Sequence, residues 1–159
     1  MSKYKEDKES ELIKYKSLIL ATLDYTMAIF RIKTTSFDSN ENFNSIKVQT
    51  EENYKKGRLT LLKQCFRDLS EPYIENIDLK FNKYLIEKTH YGIDIFKDYN
   101  ERINKIIKKG KITTDNQFYD VSILANELSQ SEQKDDTKIE ILNMLLVNYE
   151  KRKGKKNIA

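Results

Sequence analysis

The sequence predicts an all-α fold, a single irregular antiparallel bundle of five or six helices. Apolar residues recur at steps of three and four along most of the chain, which is the spacing of one helical face. Only four glycines and one proline occur in 159 residues, and this scarcity of turn formers argues against a β-rich fold. The length suits one domain, which we expect over residues 1–150.

The first helix is expected from about residue 9 to residue 33. Its apolar stripe consists of Leu12, Tyr15, Ile19, Leu23, Met27 and Phe30. The second half is apolar almost all round, which is typical of a central helix. Asp24 interrupts this half, and two interpretations stay open: a tyrosine or lysine pairs with it in the core, or it contacts a partner. Polar residues 34–45 predict the longest loop.

A second helix is expected from Thr50 to about residue 69, with Gly57 inside it. Ser70 and Pro72 then predict the start of a third helix. Serine can accept a hydrogen bond from the first free amides, and proline in the first turn loses no helical bond.

Gly92 and Asp94 could be a C-cap followed by an N-cap. The sequence leaves open whether the chain breaks there or continues as one helix to residue 108. The stretch INKIIKKGKITTDNQF, residues 103–118, also has two interpretations. Its lysines and glycine could form a basic loop that binds phosphate, or they could form the joint between two helices.

A helix boundary explains each part of that stretch. Lys105, Lys108 and Lys109 fall in the last turns of a helix, where cations interact favourably with free carbonyls. Gly110 suits a left-handed C-cap, and Thr114 with Gln117 has the spacing of a capping box. We therefore predict a joint between two helices.

The last two helices are expected over residues 115–129 and 136–151. Their apolar faces carry Phe118, Val121, Leu124, Ala125 and Leu128 in the first, and Ile139, Leu142, Leu145, Leu146 and Tyr149 in the second. Residues 151–159 are predicted to be a basic flexible tail.

Charge is distributed unevenly along the C-terminal third. Residues 97–112 have a net charge of +4, residues 113–150 of −6, and the last nine residues of +5. The acidic helix faces are predicted to bind and steer a basic partner, for example a toxin such as a nuclease, through Asp120, Glu127, Asp136 and Glu140. The alternative is contact with nucleic acid through Lys105, Lys108, Lys109, Lys111, Lys151, Arg152 and Lys153.

No residue pattern predicts catalysis, a metal or a cofactor. The chain has one histidine, His90, and one cysteine, Cys65, which lies on an apolar helical face and is expected to be a buried thiol. There is no Gly-rich phosphate loop and no Cys-x-x-Cys pair. The charged start is unlike a signal peptide, and no apolar run is long enough to span a bilayer, so a cytoplasmic protein without membrane contact is expected.

Residues 111–150 resemble the helical hairpin that precedes the DNA-binding domain in HigA-type antitoxins. The shared features are the Ile112 and Thr114 start, an aromatic at Phe118 or Tyr119, and an ending with Leu142, Leu145, Leu146, Tyr149 and Glu150. The resemblance covers a quarter of the chain and stops before a helix-turn-helix. It implies a small bacterial toxin-partner protein, and no functional residue is transferred from it.

The sequence therefore predicts a non-catalytic protein-binding module, an immunity or antitoxin-like inhibitor of a partner protein. The alternative is a nucleic-acid-associated accessory protein that uses residues 102–111 and the C-terminal tail.

Overall fold

The computed structural model describes residues 3–132 and 134–158, and the regular elements within these ranges are all α-helices. The prediction of an all-α fold is confirmed, whereas the predicted count of five or six is wrong. The seven helices of the described residues are α1 (Lys3–Ile29), α2 (Ser39–Lys55), α3 (Leu59–Glu75), α4 (Leu79–Thr89), α5 (Lys97–Lys109), α6 (Asp115–Gln130) and α7 (Asp136–Ile158).

The additional helix arises at Gly57, in the middle of the predicted second helix. Gly57 has φ of +65°, a left-handed conformation that favours glycine and ends α2. The N–H of Gly57 donates to the carbonyl of Tyr54 at 3.0 Å, which closes the last turn.

The predicted start of α2 at Thr50 is wrong, because the helix begins within the predicted loop. Asp38 accepts a hydrogen bond from the Asn40 amide at 3.0 Å and caps the helix there.

The predicted helix start at Ser70 is wrong, because α3 runs through Pro72 to Glu75. The Ser70 hydroxyl does not cap a helix. It donates to the carbonyl of Phe66, four residues earlier, at 2.7 Å. Pro72 lies in the last turn of α3, where the helix ends three residues later and the cost of the lost bond stays local.

The chain does break near Gly92, but a different residue ends the helix. His90 directly follows α4 and has φ of +61°, and its N–H donates to the Ile86 carbonyl at 2.8 Å. Histidine is one of the non-glycine residues that tolerate this region. Asp94 then accepts a hydrogen bond from the Phe96 amide at 2.9 Å, just before α5 begins.

Unit 1, the first of two compact units, comprises Met1–Glu75 and Lys80–Ile93. Helix α1 packs against α2 and α3, and its buried side chains include Leu18, Ile19 and Leu23. An aromatic cluster lies beside them, formed by Tyr25, Tyr73, Phe81 and Tyr84, with ring centroids 4.2–5.4 Å apart.

Asp24 does not belong to the core. Its side chain is 48% exposed, and its carboxylate pairs with the Lys47 ammonium of α2 at 2.7 Å. A lysine partner was one of the expectations, but the pair is exposed because Asp24 lies on the solvent side of α1.

Unit 2 comprises Asn76–Leu79 and Asp94–Ala159 and contains α5, α6 and α7. Helices α6 and α7 pack along each other, and α5 contacts both. The fully buried side chains of this unit are Ile77, Ile103, Ile112, Val121 and Leu142. The prediction of one domain over residues 1–150 stays a prediction.

None of the helices in residues 3–132 and 134–158 is both long enough and apolar enough to cross a membrane.

Candidate functional site

The basic stretch after α5 is a helix joint, as predicted. Gly110 has φ of +77°, and its N–H donates to the carbonyls of Ile106 and Ile107 at 3.0 and 3.1 Å. Thr114 accepts a hydrogen bond from the Gln117 amide at 3.2 Å and caps α6. The Gln117 side chain reaches back to the Thr113 amide at 2.9 Å. These contacts confirm the predicted C-cap and N-cap.

The fold brings this joint together with the second half of α7. The Arg152 guanidinium donates to the backbone carbonyl of Ile112 at 2.8 Å, across 40 residues of sequence. The Lys153 ammonium lies 2.8 Å from a carboxylate oxygen of Asp115, to which the Tyr149 hydroxyl also donates. Two basic segments that are far apart in sequence therefore lie at one end of unit 2.

These contacts shift the ionisation of the three side chains. The hydrogen bond from Lys153 lowers the pKa of Asp115. The hydrogen bond to Asp115 in turn raises the pKa of Tyr149 and of Lys153. All three groups lie at the surface, where solvent screens such interactions and their contribution to stability is small.

Seven cationic side chains were predicted as nucleic-acid contacts, and the structure divides them into two sets. Arg152 and Lys153 are held by contacts within the chain. The others are exposed and pair with no carboxylate among the described residues: Lys105, Lys108, Lys109, Lys111 and Lys151. We call this second set the free lysines.

The four carboxylates of the predicted acidic partner surface differ in exposure and in their contacts. Asp120 lies 3.6 Å from Arg102, and its backbone carbonyl accepts a hydrogen bond from the Tyr99 hydroxyl. Glu127 is half-buried on α6, whereas Asp136 and Glu140 are exposed one turn apart on α7. The last two carboxylates are the most accessible of the predicted set.

Tyr99 is buried where α5 packs on α6. Burial, followed by the nearby Asp120 carboxylate, raises the pKa of Tyr99 far above its ordinary value. Tyr99 therefore stays protonated and serves as a fixed hydrogen-bond donor between the two helices.

The sequence analysis missed an apolar surface at the end of α1. Ile29, Phe30, Ile32 and Phe37 are between 44% and 61% exposed, and we call residues 29–37 the apolar loop. Residues 29–33 were expected to belong to the first helix, with Phe30 in its apolar stripe, and turn-forming residues made the rest of the segment look like a polar loop. The available signal was the occurrence of large apolar residues inside it.

The backbone of the apolar loop is held by hydrogen bonds. The Thr34 amide donates to the Phe37 carbonyl at 2.6 Å, and the Ser39 amide donates to the Ile32 carbonyl at 2.8 Å. The Ser39 hydroxyl in turn accepts from the Ile32 amide at 2.9 Å. The exposed side chains are therefore carried by a defined turn.

A second exposed apolar surface lies on α7, facing away from the buried residues Leu142 and Leu145. It contains Ile141, Met144 and Val147, of which Met144 is 65% exposed. The predicted apolar stripe of this helix used other residues, so these three were left unassigned.

The described residues contain no cluster of side chains suited to a metal ion. No three His, Cys, Asp or Glu side chains among them lie close enough together to hold a metal ion. Cys65 is half-buried, less than predicted, in a groove of about 410 Å³ between α2 and α3. Burial there raises the pKa of the Cys65 thiol, which keeps it in its less reactive protonated form.

Comparisons of the chain with protein-family models, with curated proteins and with solved structures each find no match. The class to which the chain can be assigned is therefore that of its fold, an all-α protein. The resemblance of residues 111–150 to the antitoxin hairpin stays a prediction.

Proposed function

We propose that this protein is a non-catalytic protein-binding module, and that its biological role is inhibition of a partner in the manner of an immunity protein or antitoxin. The observation that carries the proposal is the apolar loop of unit 1. Four large apolar side chains within nine residues are about half exposed to solvent. Other apolar side chains nearby in the sequence, such as Leu23, are buried inside the chain. Adjacent exposed apolar side chains are typical of surfaces that a partner covers.

The conformation of the loop supports binding in a second way. Its backbone is already ordered by the contacts between Ile32 and Ser39 and between Thr34 and Phe37. Ordering a loop on binding costs conformational entropy, so a loop that is ordered in advance binds more tightly for the same contacts. We expect Phe30 and Phe37 to insert into an apolar recess of the partner.

Site-specific photo-crosslinking in the native host tests this proposal. The photoreactive residue p-benzoylphenylalanine would replace Phe37 in one variant and Val48 in a control variant. Val48 is also exposed and lies on α2 in the same unit, but outside the loop. We expect a discrete covalent adduct with another protein from position 37 and none from position 48.

A second pair of variants tests whether the adduct depends on the other apolar side chains of the loop. Adding Phe30→Ala to the position-37 variant should abolish the adduct, since the partner loses a neighbouring apolar contact. Adding Leu61→Ala, at an exposed residue on α3, should leave it unchanged. The same adducts from positions 37 and 48, or no adduct from either, would contradict binding through the apolar loop.

The convergence of two basic segments favours a second candidate function, that of a nucleic-acid-associated accessory protein. Arg152, whose neighbour in sequence is Lys151, contacts the carbonyl of Ile112, whose neighbour is Lys111, and this joins the two basic segments that carry the free lysines. Lysine contacts to phosphate are independent of base sequence, so we expect only weak duplex binding that disappears near physiological salt.

Fluorescence anisotropy with a generic DNA duplex across a salt series measures this binding. Each phosphate contact contributes about 0.9 to the slope of log affinity against log salt. Alanine at Lys108 and Lys109 is compared with alanine at Lys80 and Lys88, which removes the same charge from α4. Tight binding with a steep slope that only the first pair weakens would make nucleic-acid association the leading function.

A further inference from the structure

We infer that the exposed face of α7 pairs with the same face of a second copy of this chain, with the two helices antiparallel. The face is a stripe of residues spaced three or four apart, which places them on one side of the helix. We call it the outer stripe of α7, and it consists of Asp136, Glu140, Met144, Val147, Lys151 and Lys155, all exposed.

The order of charges along the outer stripe determines the orientation of the partner. Carboxylates occupy the first turns, apolar side chains the middle, and lysines the last turns. An antiparallel copy therefore places Glu140 opposite Lys151 of its partner and Asp136 opposite Lys155. A parallel copy would place acid against acid and base against base, which is destabilising.

The apolar centre fits the same arrangement. With the charges paired in this way, Met144 of one copy lies opposite Val147 of the other, and a twofold axis passes between them. Each contact then occurs twice, as a twofold-symmetric interface requires. Met144 is the most exposed apolar side chain of the stripe, at 65%, and its flexible thioether adapts readily to an opposing surface.

This surface is independent of the proposed function. The outer stripe belongs to unit 2 and the apolar loop to unit 1, so failure of either hypothesis leaves the other in place. One pair of helices over this length makes a small interface, and we expect a reversible dimer.

Sedimentation equilibrium of the full chain tests the inference. The mass of one chain is 18.9 kDa, and the average mass should rise toward twice that value with concentration. A range from about 5 to about 500 µM covers the affinities expected of weak interfaces. Glu140→Lys and Lys151→Glu should each weaken the dimer by about tenfold, because each reversal replaces two attractive pairs with two repulsive ones.

Mixing the two reversed variants provides the decisive measurement. A copy with Glu140→Lys and a copy with Lys151→Glu have opposite charges at both facing positions, so their mixture should associate at least as well as the unaltered chain. The control Glu132→Lys lies outside the stripe and should leave the average mass unchanged. A constant mass of one chain over the whole range, or a mixture that associates no better than the separate variants, overturns the antiparallel dimer.

Discussion

Phe81→Ala is expected to lower the free energy of unfolding by about 3–5 kcal/mol, the usual cost of removing a buried phenylalanine side chain. Phe81 is fully buried in unit 1, with its ring stacked on Tyr73 at 4.2 Å and tilted against Tyr25 at 5.2 Å. The substitution removes contacts with both rings and leaves a cavity between helices α1, α3 and α4. A urea melt followed by circular dichroism measures the change.

Phe37→Ala is the matched control, since it removes the same side chain from an exposed position in the apolar loop. We expect a change within about 0.5 kcal/mol, which is usual for surface substitutions. Equal losses from the two variants would mean that Phe37 is a structural residue, and the apolar loop would then no longer support the proposed function.

Gly110→Val is expected to cost roughly 1–3 kcal/mol of stability, as is usual for a residue held in an unfavourable backbone conformation. Gly110 has φ of +77°, and a β-branched residue resists this region. A Cβ added there would meet no atom within 4 Å, so the cost comes from the backbone alone. Urea melts of the variant and the unaltered chain give the difference.

Two control variants distinguish the backbone effect at Gly110 from the effect of the neighbouring lysine charges. Gly154→Ala lies inside α7, where φ is not positive, and should increase stability by up to about 1 kcal/mol. Lys108→Ala should change stability little, because Lys108 is exposed. Should Gly110→Val prove harmless while Lys108→Ala impairs function, the loop would be a binding site and the structural interpretation would be wrong.

Local signals in the sequence predicted the all-α class and the joint after α5 because the causes are local. The caps at Gly110 and Thr114 depend on residues within four positions. Gly57 and Gly110 both have positive φ. Only Gly110 was predicted to end a helix. An apolar pattern that continues across Gly57 hides the break, and packing of α2 and α3 on α1 decides it.

The candidate surfaces were less accessible to sequence reasoning. Whether Phe30 and Phe37 are covered depends on where distant helices pack, and their own neighbours in sequence do not reveal it. The contact between Arg152 and Ile112 likewise joins residues 40 positions apart. Met144 and Val147 could have been found as the apolar residues left over once the buried stripe of α7 was assigned.

The hydrogen bond from Arg152 to Ile112 restricts where residues can be inserted into α7 or deleted from it. The backbone of this helix is continuous from the buried Leu145 to Arg152, although residues 151–159 were predicted to be a flexible tail. Each inserted or deleted residue between these two would turn Arg152 by about 100° around the helix axis and carry it away from the α5–α6 joint. Related chains should therefore vary in length after Lys153 and keep a fixed spacing before it.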